Sequence, residues 1–350
     1  MTDWARPMRQ EVSFFEVDPR TFRDVRRMDE VLSCTVTRDS GSDTLESAVL
    51  SFDRLFLGEM WVRCYLTATQ DGASERHPMG TWLVQTPSRT LDGRASEVSA
   101  AAYSVLHPLR EAMPPVGWSL PVGANCAEHA AACCSNGPAP VVGSPAAVLL
   151  SEPYVAPLDA SWLSTASALA APAGMQVAFD RMGTVHVVPK SPARSLAHVW
   201  EFADDGSSVL LPDATESDDW YGTYNVVTVV CGGVVGRAVN DDPASPASTV
   251  SRGREVELRV EDPDELKAGC TQEEADMAAR LRLQEESAKE RTITISHGYC
   301  PVSLGDCVRV SYRSLGLEGD AVVTRQVIEL AVGVTVETTA VAVRRLWGGA

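Results

Sequence analysis

The stretch Asn225-Val-Val-Thr-Val-Val-Cys231 opens the segment that decides the fold. This predicted strand is followed by a Pro- and Ser-rich elbow, Asn240-Asp-Asp-Pro-Ala-Ser-Pro-Ala-Ser248. A helix is predicted over about residues 271–290, and alternating strands are predicted from Gly305 to Arg345. The segment contains no nucleophile motif, metal-ligand cluster or phosphate-binding loop. A segment with such clear structural signals and no catalytic groups indicates a protein whose role is structural.

The predicted helix begins at a capping box. Thr271 is followed three residues later by Glu274, so each side chain can bond to the backbone N–H of the other residue. Ala278, Leu281 and Ala288 then form one apolar stripe at helical spacing. We therefore expect an amphipathic helix that packs by this stripe.

The composition limits the possible functions. A chain of 350 residues suits two or three domains. Its 47 acidic and 30 basic residues give a formal net charge of −17. This balance disfavours binding to a nucleic-acid backbone, which requires clustered Lys and Arg. The acidity indicates a soluble surface that resists association.

Neither targeting nor membrane signals are predicted. The start, Met1-Thr-Asp-Trp-Ala-Arg6, lacks the basic residues and apolar run of a signal peptide. No stretch approaches the roughly 18 apolar residues of a membrane span. We therefore expect synthesis and folding in a cytosol, where the nine cysteines remain thiols. Apolar, strand-like stretches contain four of them, which are expected in cores: Cys34, Cys64, Cys231 and Cys307.

Residues from about 31 to 105 are predicted to form β structure. Strand-like stretches begin at Val31, Met60 and Gly80, and polar turns separate them. The third stretch is expected to end at Pro87. Strands joined by short polar turns are typical of an antiparallel sheet or barrel.

The composition changes near residue 107, and residues 107–174 are rich in Ala and Pro. Asn125 is predicted to cap one helix and Asp159 a second. The tight turn Asp180-Arg-Met-Gly183 then joins two predicted strands into a hairpin. These elements predict a small α+β domain.

The best candidate for a metal site is the set Cys126, His129 and Cys133. On a helix these residues project from one face beside Cys134, and soft ligands so placed could hold zinc. Structural zinc requires a fourth ligand, and the sequence has no matching Cys-x-x-Cys. The alternative, which we favour, is an Ala-rich helix that packs small thiols.

Other candidate groups have structural explanations. Cys300 and Cys307 could meet across a bend, but a cytosolic protein keeps them reduced. The stretch Gly232-Gly-Val-Val-Gly236 is expected to lead into polar coil, whereas a dinucleotide loop leads into a helix. Three acidic pairs could be glycosidase carboxylates, but solvated turns are favoured: Asp204-Asp205, Asp218-Asp219 and Asp241-Asp242. The six histidines show no catalytic spacing. We predict no catalytic, cofactor-binding or metal-binding residue.

Three stretches carry a family resemblance. The first contains Ala48-Val-Leu-Ser-Phe-Asp53, Met60-Trp-Val-Arg-Cys-Tyr65 and Pro78-Met-Gly-Thr-Trp-Leu-Val84. The second is the helix and hairpin around Trp162 and Asp180-Arg-Met-Gly-Thr-Val185. The third runs from Asn225 through Asp242-Pro-Ala-Ser-Pro246 and the capped helix to Leu304-Gly-Asp-Cys-Val-Arg-Val310. In this order, over residues from about 30 to 345, they resemble the baseplate hub proteins of phage tails, also called tail-associated or minor tail proteins.

This resemblance implies a mainly β fold with an α+β insertion. The implied domains are a tail-tube-like β-barrel in residues 1–105, an α+β domain in residues 106–205 and a second β-barrel with one helix in residues 206–350. Members of the family form rings, commonly trimers in which two barrels per chain give pseudo-sixfold symmetry. The resemblance therefore implies a non-enzymatic structural protein of the virion tail tip, synthesised in the cytoplasm of a bacterial host.

The resemblance also implies partners. They are further copies of the chain in a homotrimeric ring, the distal tail or tail-tube proteins, and a central tip or spike protein. DNA would only pass through the lumen, where negative charge would let it slide without sticking, and the chain would not insert into a membrane. Longer relatives carry a C-terminal lysin or fibre region. This chain ends at Gly348-Gly-Ala350, so cell-wall cleavage would belong to another protein.

Two other functions stay open. The scattered carboxylates could serve a tail-associated peptidoglycan or polysaccharide hydrolase, because carboxylates that are distant in sequence can meet in space. The other alternative is a receptor-binding tail module. The lack of fibre-like repeats and aromatic-rich loops argues against it.

Overall fold

A computed structural model describes residues 2–56, 58–92, 95–190, 197–205, 209–218, 220–261, 270–313, 316–331 and 333–345. The chain is mainly β, with 48% of its residues in strands and 15% in helices. The predicted mainly β class is therefore confirmed. Within the described ranges the strands form open sheets and no closed barrel, so the pair of barrels stays a prediction.

The chain divides into two compact units. Unit 1 comprises Met1–Asp213, Ile295–Glu318 and Val322–Thr338, and unit 2 comprises Ala214–Thr294, Gly319–Ala321 and Thr339–Ala350. Unit 1 thus includes residues 295–318 and 322–338, which the sequence analysis places with residues 206–350. The division into three domains stays a prediction.

In the described residues, unit 1 begins with seven strands. Their bounds are β1 Arg9–Val17, β2 Asp24–Arg27, β3 Val31–Asp39, β4 Glu46–Phe52, β5 Met60–Gln70, β6 Ala73–Asp92 and β7 Ala95–Ser104. They pair in the order β3-β4-β7-β6-β5-β1-β2, and every pair is antiparallel. Asp71 and Gly72, with φ of 52° and 80°, close a two-residue hairpin between β5 and β6. Both residues tolerate the left-handed conformation that such a turn requires.

Strand β6 contains two bulges. It continues through Pro87, contrary to the expectation that it ends there, because the register shifts between Gln85 and Pro87 and accommodates the proline. Further back, Cys64 pairs with Gly80 and Tyr65 pairs with Pro78. Met79 is therefore the extra residue of the second bulge.

The α+β part of unit 1 follows the first seven strands. Its elements are α1 His107–Glu111, β8 Ser119–Leu120, α2 Cys126–Cys134, β9 Val141–Gly143, β10 Tyr154–Val155, α3 Trp162–Ala170, a 3₁₀ helix Ala171–Ala173, β11 Met175–Phe179 and β12 Val185–Pro189. Asn125 caps α2 as predicted. Helix α3 is capped by Ser161 rather than Asp159, because Ser161 and Ser164 form a capping box. Leu163, Ala166 and Leu169 of α3 are buried in the core of this part.

Later strands return to the sheet of unit 1. They are β13 Trp200–Ala203, β14 Leu210–Asp218, β18 Ala288–Gly298, β19 Cys307–Tyr312, β20 Leu317–Leu330 and β21 Thr335–Arg345. β13 pairs in parallel with β19, and β20 pairs antiparallel with β3. Strands β14, β18, β20 and β21 have residues in both units.

Unit 2 contains a small mixed sheet covered by a helix. Its further elements are β15 Val226–Cys231, β16 Val234–Val239, α4 Thr249–Arg252, β17 Glu257–Glu261 and α5 Gln272–Glu286. β15 pairs antiparallel with β16 and parallel with β17. Gly232 and Gly233 form the tight turn between β15 and β16 with positive φ values. The stretch after β15 therefore leads into a strand rather than into the predicted polar coil.

Helix α5 is shorter than predicted and buries a different face. The helix ends at Glu286, and residues 288–298 form β18, whereas the helix was expected to reach about residue 290. The capping box of Thr271 and Glu274 is confirmed. The buried face is Ala275, Ala279 and Leu283, and Leu281 of the predicted stripe is 54% exposed. No helix in the described part of the chain is long and apolar enough to cross a membrane.

Close packing explains which face of α5 is buried. A Cβ placed on Gly236 of β16 would lie 2.2 Å from the backbone carbonyl of Ala275. Helix and strand can approach this closely only where both carry small residues. The alanines of α5 therefore face the sheet, although larger apolar residues lie elsewhere on the helix.

We expect Gly236→Ala to lower the free energy of unfolding of unit 2 by about 1–3 kcal/mol, because the added methyl group forces α5 away from β16. Urea denaturation followed by circular dichroism measures this loss. Gly298→Ala, at a strand glycine of unit 1, controls for the glycine-to-alanine change itself, since a Cβ there meets no atom closer than 3.7 Å. Equal unfolding midpoints for the two variants would contradict the close approach.

Candidate functional site

The candidate site is built on two charged residues at inward positions of the sheet. Arg38 of β3 lies directly opposite Glu46 of β4. Its Nε donates to Glu46 Oε2 at 2.8 Å, and both side chains are at most 2% exposed. Trp82 Nε1 donates to the other carboxylate oxygen at 2.6 Å. Both oxygens of this buried carboxylate are thus satisfied, as burial of a charge requires.

Arg38 is held by groups from three other strands. Besides Glu46, its terminal nitrogens donate to Gln326 Oε1 on β20 at 3.4 Å and to the Met79 carbonyl at 2.7 Å. Met79 is the extra residue of the β6 bulge, where the regular pairing of β5 and β6 is interrupted. Glu46, Arg38 and Gln326 form one row across β4, β3 and β20. This polar row therefore fixes the register of three strands.

A second guanidinium reaches Glu46 from the hairpin turn between β11 and β12. Arg181 Nη1 donates to Glu46 Oε2 at 3.0 Å, and Nη2 donates to Ser303 Oγ at 3.2 Å. Burial and the charge of Arg38 lower the pKa of Arg181 to about 10, so the group stays charged at neutral pH. One carboxylate thus holds an arginine from the sheet and an arginine from the α+β part.

Arg63 of β5 holds the same turn from another side. Its Nη2 donates to the Met182 carbonyl at 2.7 Å, and Nη1 donates to Asp24 at 2.7 Å. Thr81 Oγ1 accepts from Arg63 Nε at 2.8 Å and donates to the Arg181 carbonyl at 3.2 Å. The backbone of the turn is therefore bonded to the sheet at two successive residues.

Gly183 lets this turn approach the sheet. Its φ is +85°, a conformation that other residues rarely adopt. A Cβ here would lie 2.7 Å from the Phe22 ring and 3.1 Å from side-chain atoms of Thr81 and Val105. The turn thus requires glycine both for its conformation and for space.

A cleft of about 640 Å³ lies above the cluster. Arg38, Glu46 and Arg181 contribute polar lining, and apolar lining comes from side chains that include Leu45 and Phe179. All three guanidinium nitrogens of Arg38 and both terminal nitrogens of Arg181 already donate within the chain. The Ser303 hydroxyl accepts one of these hydrogen bonds, and together they stabilise the turn on the sheet.

The polar row continues to a buried histidine. Gln326 Nε2 donates to Thr338 Oγ1 at 3.4 Å, and Thr338 Oγ1 lies 2.8 Å from His297 Nε2. His297 Nδ1 lies 2.6 Å from the Gly298 carbonyl, and the Phe202 ring is 4.5 Å away between centroids. Burial lowers the pKa of His297 to about 4. The imidazole is therefore neutral at neutral pH.

The metal candidates do not form a ligand set in the structure. Cys126 and Cys133 are buried on α2, whereas His129 is only half-buried. Burial raises the pKa of Cys133 to about 11 and that of Cys134 to about 12. No group of three or more His, Cys, Asp or Glu side chains in the described residues is placed to hold a metal ion.

The structure describes some of the remaining sequence candidates. All nine cysteines are buried thiols outside any disulfide, which includes Cys300 and Cys307. Asp242 Oδ1 accepts from the Ala244 N–H at 2.8 Å, so the third acidic pair belongs to a turn as favoured. The side chain of Asp218 and all of Asp219 lie outside the described residues.

The charge cluster was not predicted from the sequence. A signal was present, because Arg38 has the same parity as the buried Cys34 and Val36 of its strand. Glu46 likewise shares the parity of the buried residues of β4. A charge at an inward position requires a buried partner. Fold and site together define a mainly β protein in which a buried cluster of charged side chains joins several strands and a hairpin turn.

Comparison with solved structures identifies this architecture. A tail protein from Neisseria meningitidis matches with a TM-score of 0.61 at 14% identity, over 95% of this chain and 96% of that protein. The 43 kDa tail protein of prophage MuSo2 from Shewanella oneidensis gives a TM-score of 0.63 at 12% identity, over 96% and 98%. The chain therefore has the fold of phage and prophage tail proteins, which confirms the predicted resemblance at the level of the fold.

A third similarity extends beyond tail proteins. A PdpA–VgrG complex from Francisella contains a chain that matches with a TM-score of 0.57 at 5% identity, over 96% of this chain and 58% of that one. No protein-family model matches the sequence, and no curated protein is similar to it in sequence.

We expect Glu46→Gln to lower the free energy of unfolding by about 3–5 kcal/mol, because the buried guanidinium of Arg38 and the partly buried one of Arg181 lose their counter-ion. Urea denaturation measures the change. Glu11→Gln is the control, since Glu11 pairs with Arg27 at 3.3 Å and both side chains are more than half exposed. We expect the control to cost less than about 1 kcal/mol. Similar losses in both variants would show that Glu46 does not hold the cluster.

Stability should also depend on the buried histidine. The pKa of His297 is about 4 in the folded chain and about 6.5 when unfolded, so below pH 6.5 only the unfolded chain gains this proton. The part of the unfolding free energy that depends on neutral His297 is fully present above pH 6.5. It decreases as the pH falls to 4, by about 3 kcal/mol in total. Unfolding free energies across this range should fall less steeply for His297→Gln than for wild type. His129→Gln, which changes a half-buried histidine of α2, controls for the substitution, and parallel profiles for His297→Gln and wild type would contradict the expectation.

Proposed function

We propose that this chain is a structural component of a phage or prophage tail and forms the baseplate hub or tail-tip ring. The observation that carries the proposal is similarity over nearly the whole length of two tail proteins, with TM-scores of 0.61 and 0.63. Such a ring continues the tail tube, adapts it to a central tip and leaves a channel through which DNA passes.

We further propose that three chains form the ring, with two tube-like β-barrel domains in each chain. The strand order of unit 1 supports this, since β20-β3-β4-β7-β6-β5-β1-β2 is a run of eight paired strands. Twisted sheets of this width tend to curl. In the ring, these curved sheets contribute to the wall of the tube.

The proposed partners are the tail-tube or distal tail proteins on one side and a central tip or spike protein on the other. The similarity to a chain of a PdpA–VgrG complex supports the second partner. DNA is a transient occupant of the lumen, because a chain with a net charge of −17 repels the phosphate backbone.

We propose no catalytic role for this chain. The two whole-length neighbours are tail proteins. The buried cluster consists of hydrogen-bonded Arg, Glu, Trp and Gln side chains without a nucleophile. No observation on the structure favours a hydrolase or a receptor-binding module over a structural ring.

Immunogold labelling of intact particles, with an antibody against this chain, tests the proposal. We expect label only at the distal end of the tail, and quantitative mass spectrometry of purified tails should give three copies per particle. Deletion of the gene should yield particles without an assembled tip. Label along the whole tube, or particles that lack the chain, would refute the proposed function. Clearing of host cell wall in a zymogram, lost on Asp→Asn substitution, would favour a hydrolase.

A further inference from the structure

Charged residues are nearly absent from one stretch of this acidic chain. Of its 30 basic and 47 acidic residues, only Glu128, Glu152 and Asp159 lie between residues 112 and 179. The function proposed above does not explain why this stretch differs from the rest. Lys, Glu, Arg and Asp are almost always exposed, so a stretch that lacks them presents a surface with little charge.

Two segments of this stretch, 112–126 and 148–162, form an antiparallel ribbon. Backbone hydrogen bonds join them along their length: Trp162 to Ala112 at 2.9 Å, Ala156 to Trp118 at 3.0 Å, Gly123 to Leu150 at 2.9 Å and Cys126 to Val148 at 3.0 Å. The short strands β8 and β10 are its central part. We call these two segments the ribbon.

The ribbon has an inner and an outer set of apolar residues. Leu120 is buried in the core of the α+β part, and Trp118, Leu150 and Tyr154 pack against that core. A different set is at least 56% exposed: Met113, Val116, Val122, Leu149, Val155 and Leu158. These six residues lie on two segments that are hydrogen-bonded to each other, whereas apolar residues scattered singly over a surface are normal.

The ribbon is also a rigid surface. It contains five prolines, at positions 114, 115, 121, 153 and 157. Trp118 packs edge-on against Trp162 and Tyr154, with ring centroids 5.4 and 6.3 Å apart. A surface that is already ordered loses little conformational entropy when a partner binds.

We propose that the outer face of the ribbon is an interface between copies of this chain. The proposal rests on the ring function proposed above and names the surface through which the copies meet. Each copy carries a net charge of −17, so two copies repel each other over most of their surfaces. Association through the ribbon buries apolar side chains, and the ribbon itself carries only two charged residues, Glu152 and Asp159.

Charge also distinguishes a second copy from other occupants. A basic partner would be attracted to the acidic surfaces of the chain, and the ribbon provides little to attract it. A contact between like-charged copies through an apolar face should become stronger at high salt. Added salt screens the repulsion between the acidic surfaces and does not weaken apolar burial.

Analytical ultracentrifugation of the full chain, over a concentration series at low and high salt, tests the proposal. We expect self-association that strengthens with salt. In Val155→Glu/Leu158→Glu the dissociation constant should rise at least about tenfold, since two large apolar side chains leave the contact. Leu32→Glu/Val49→Glu is the matched control, because these residues are 64% and 54% exposed on β3 and β4 of the same unit. Circular dichroism and thermal unfolding establish that each variant folds.

The outcomes separate this inference from the proposed function. A wild-type chain that stays monomeric at every concentration and salt level overturns the ribbon interface. The inference is also overturned if the Val155→Glu/Leu158→Glu variant associates as strongly as wild type. It is likewise overturned if only the Leu32→Glu/Val49→Glu control loses association. In each of these cases distal gold labelling of particles would leave the hub function standing. Conversely, association through the ribbon by a chain that is absent from tails would support the interface and refute the hub.

Discussion

The Glu46 carboxylate, shared between Arg38 and Arg181, is the interaction on which the architecture of unit 1 depends. Moving charges out of water costs several kcal/mol per ion, and attraction offsets that cost only when geometry and hydrogen bonding are complete. Here both carboxylate oxygens accept, and all three guanidinium nitrogens of Arg38 donate. The cluster is therefore directional, and an apolar contact of the same area would tolerate a shifted turn. Its contribution is to select one placement of the hairpin turn on the sheet.

This requirement explains irregular features around the cluster. The β6 bulge at Met79 interrupts regular pairing and supplies the carbonyl that Arg38 needs. Gly183 allows the turn to come close enough for Arg181 to reach the carboxylate. Gln326, 288 residues from Arg38 in sequence, completes the row from a strand of the C-terminal part. The bulge, the glycine turn and the distant strand thus all contribute to the hydrogen bonding of the same buried ion pair.

Sequence patterns correctly predicted the caps and turns, which form between residues that are close in sequence. The capping box at Thr271, the cap at Asn125 and the hairpin turn at 180–183 were visible because neighbouring residues form them. The pairing of β20 with β3 was not visible, since no local pattern specifies which distant strand becomes a neighbour. The buried face of α5 was misread because Gly236, on another strand, allows alanines to pack more closely than Leu281 could. The charge cluster lay between these cases. Parity marked Arg38 as inward, but the groups bonded to it come from three other strands, and Arg181 reaches the same carboxylate from a turn.

The distribution of charge bears on both the interior of unit 1 and the proposed association of copies. Inside unit 1 a few charges are buried and fully paired, whereas most of the acidic residues make the chain repel its own copies. A ring of such chains needs a surface where repulsion is weakest and desolvation costs least. The proposed ribbon interface fits both conditions, since six large apolar side chains are exposed on it and it carries only two charged residues, Glu152 and Asp159. In the proposed ring, this distribution of charge would let an acidic chain associate through the ribbon while its other surfaces repel further copies.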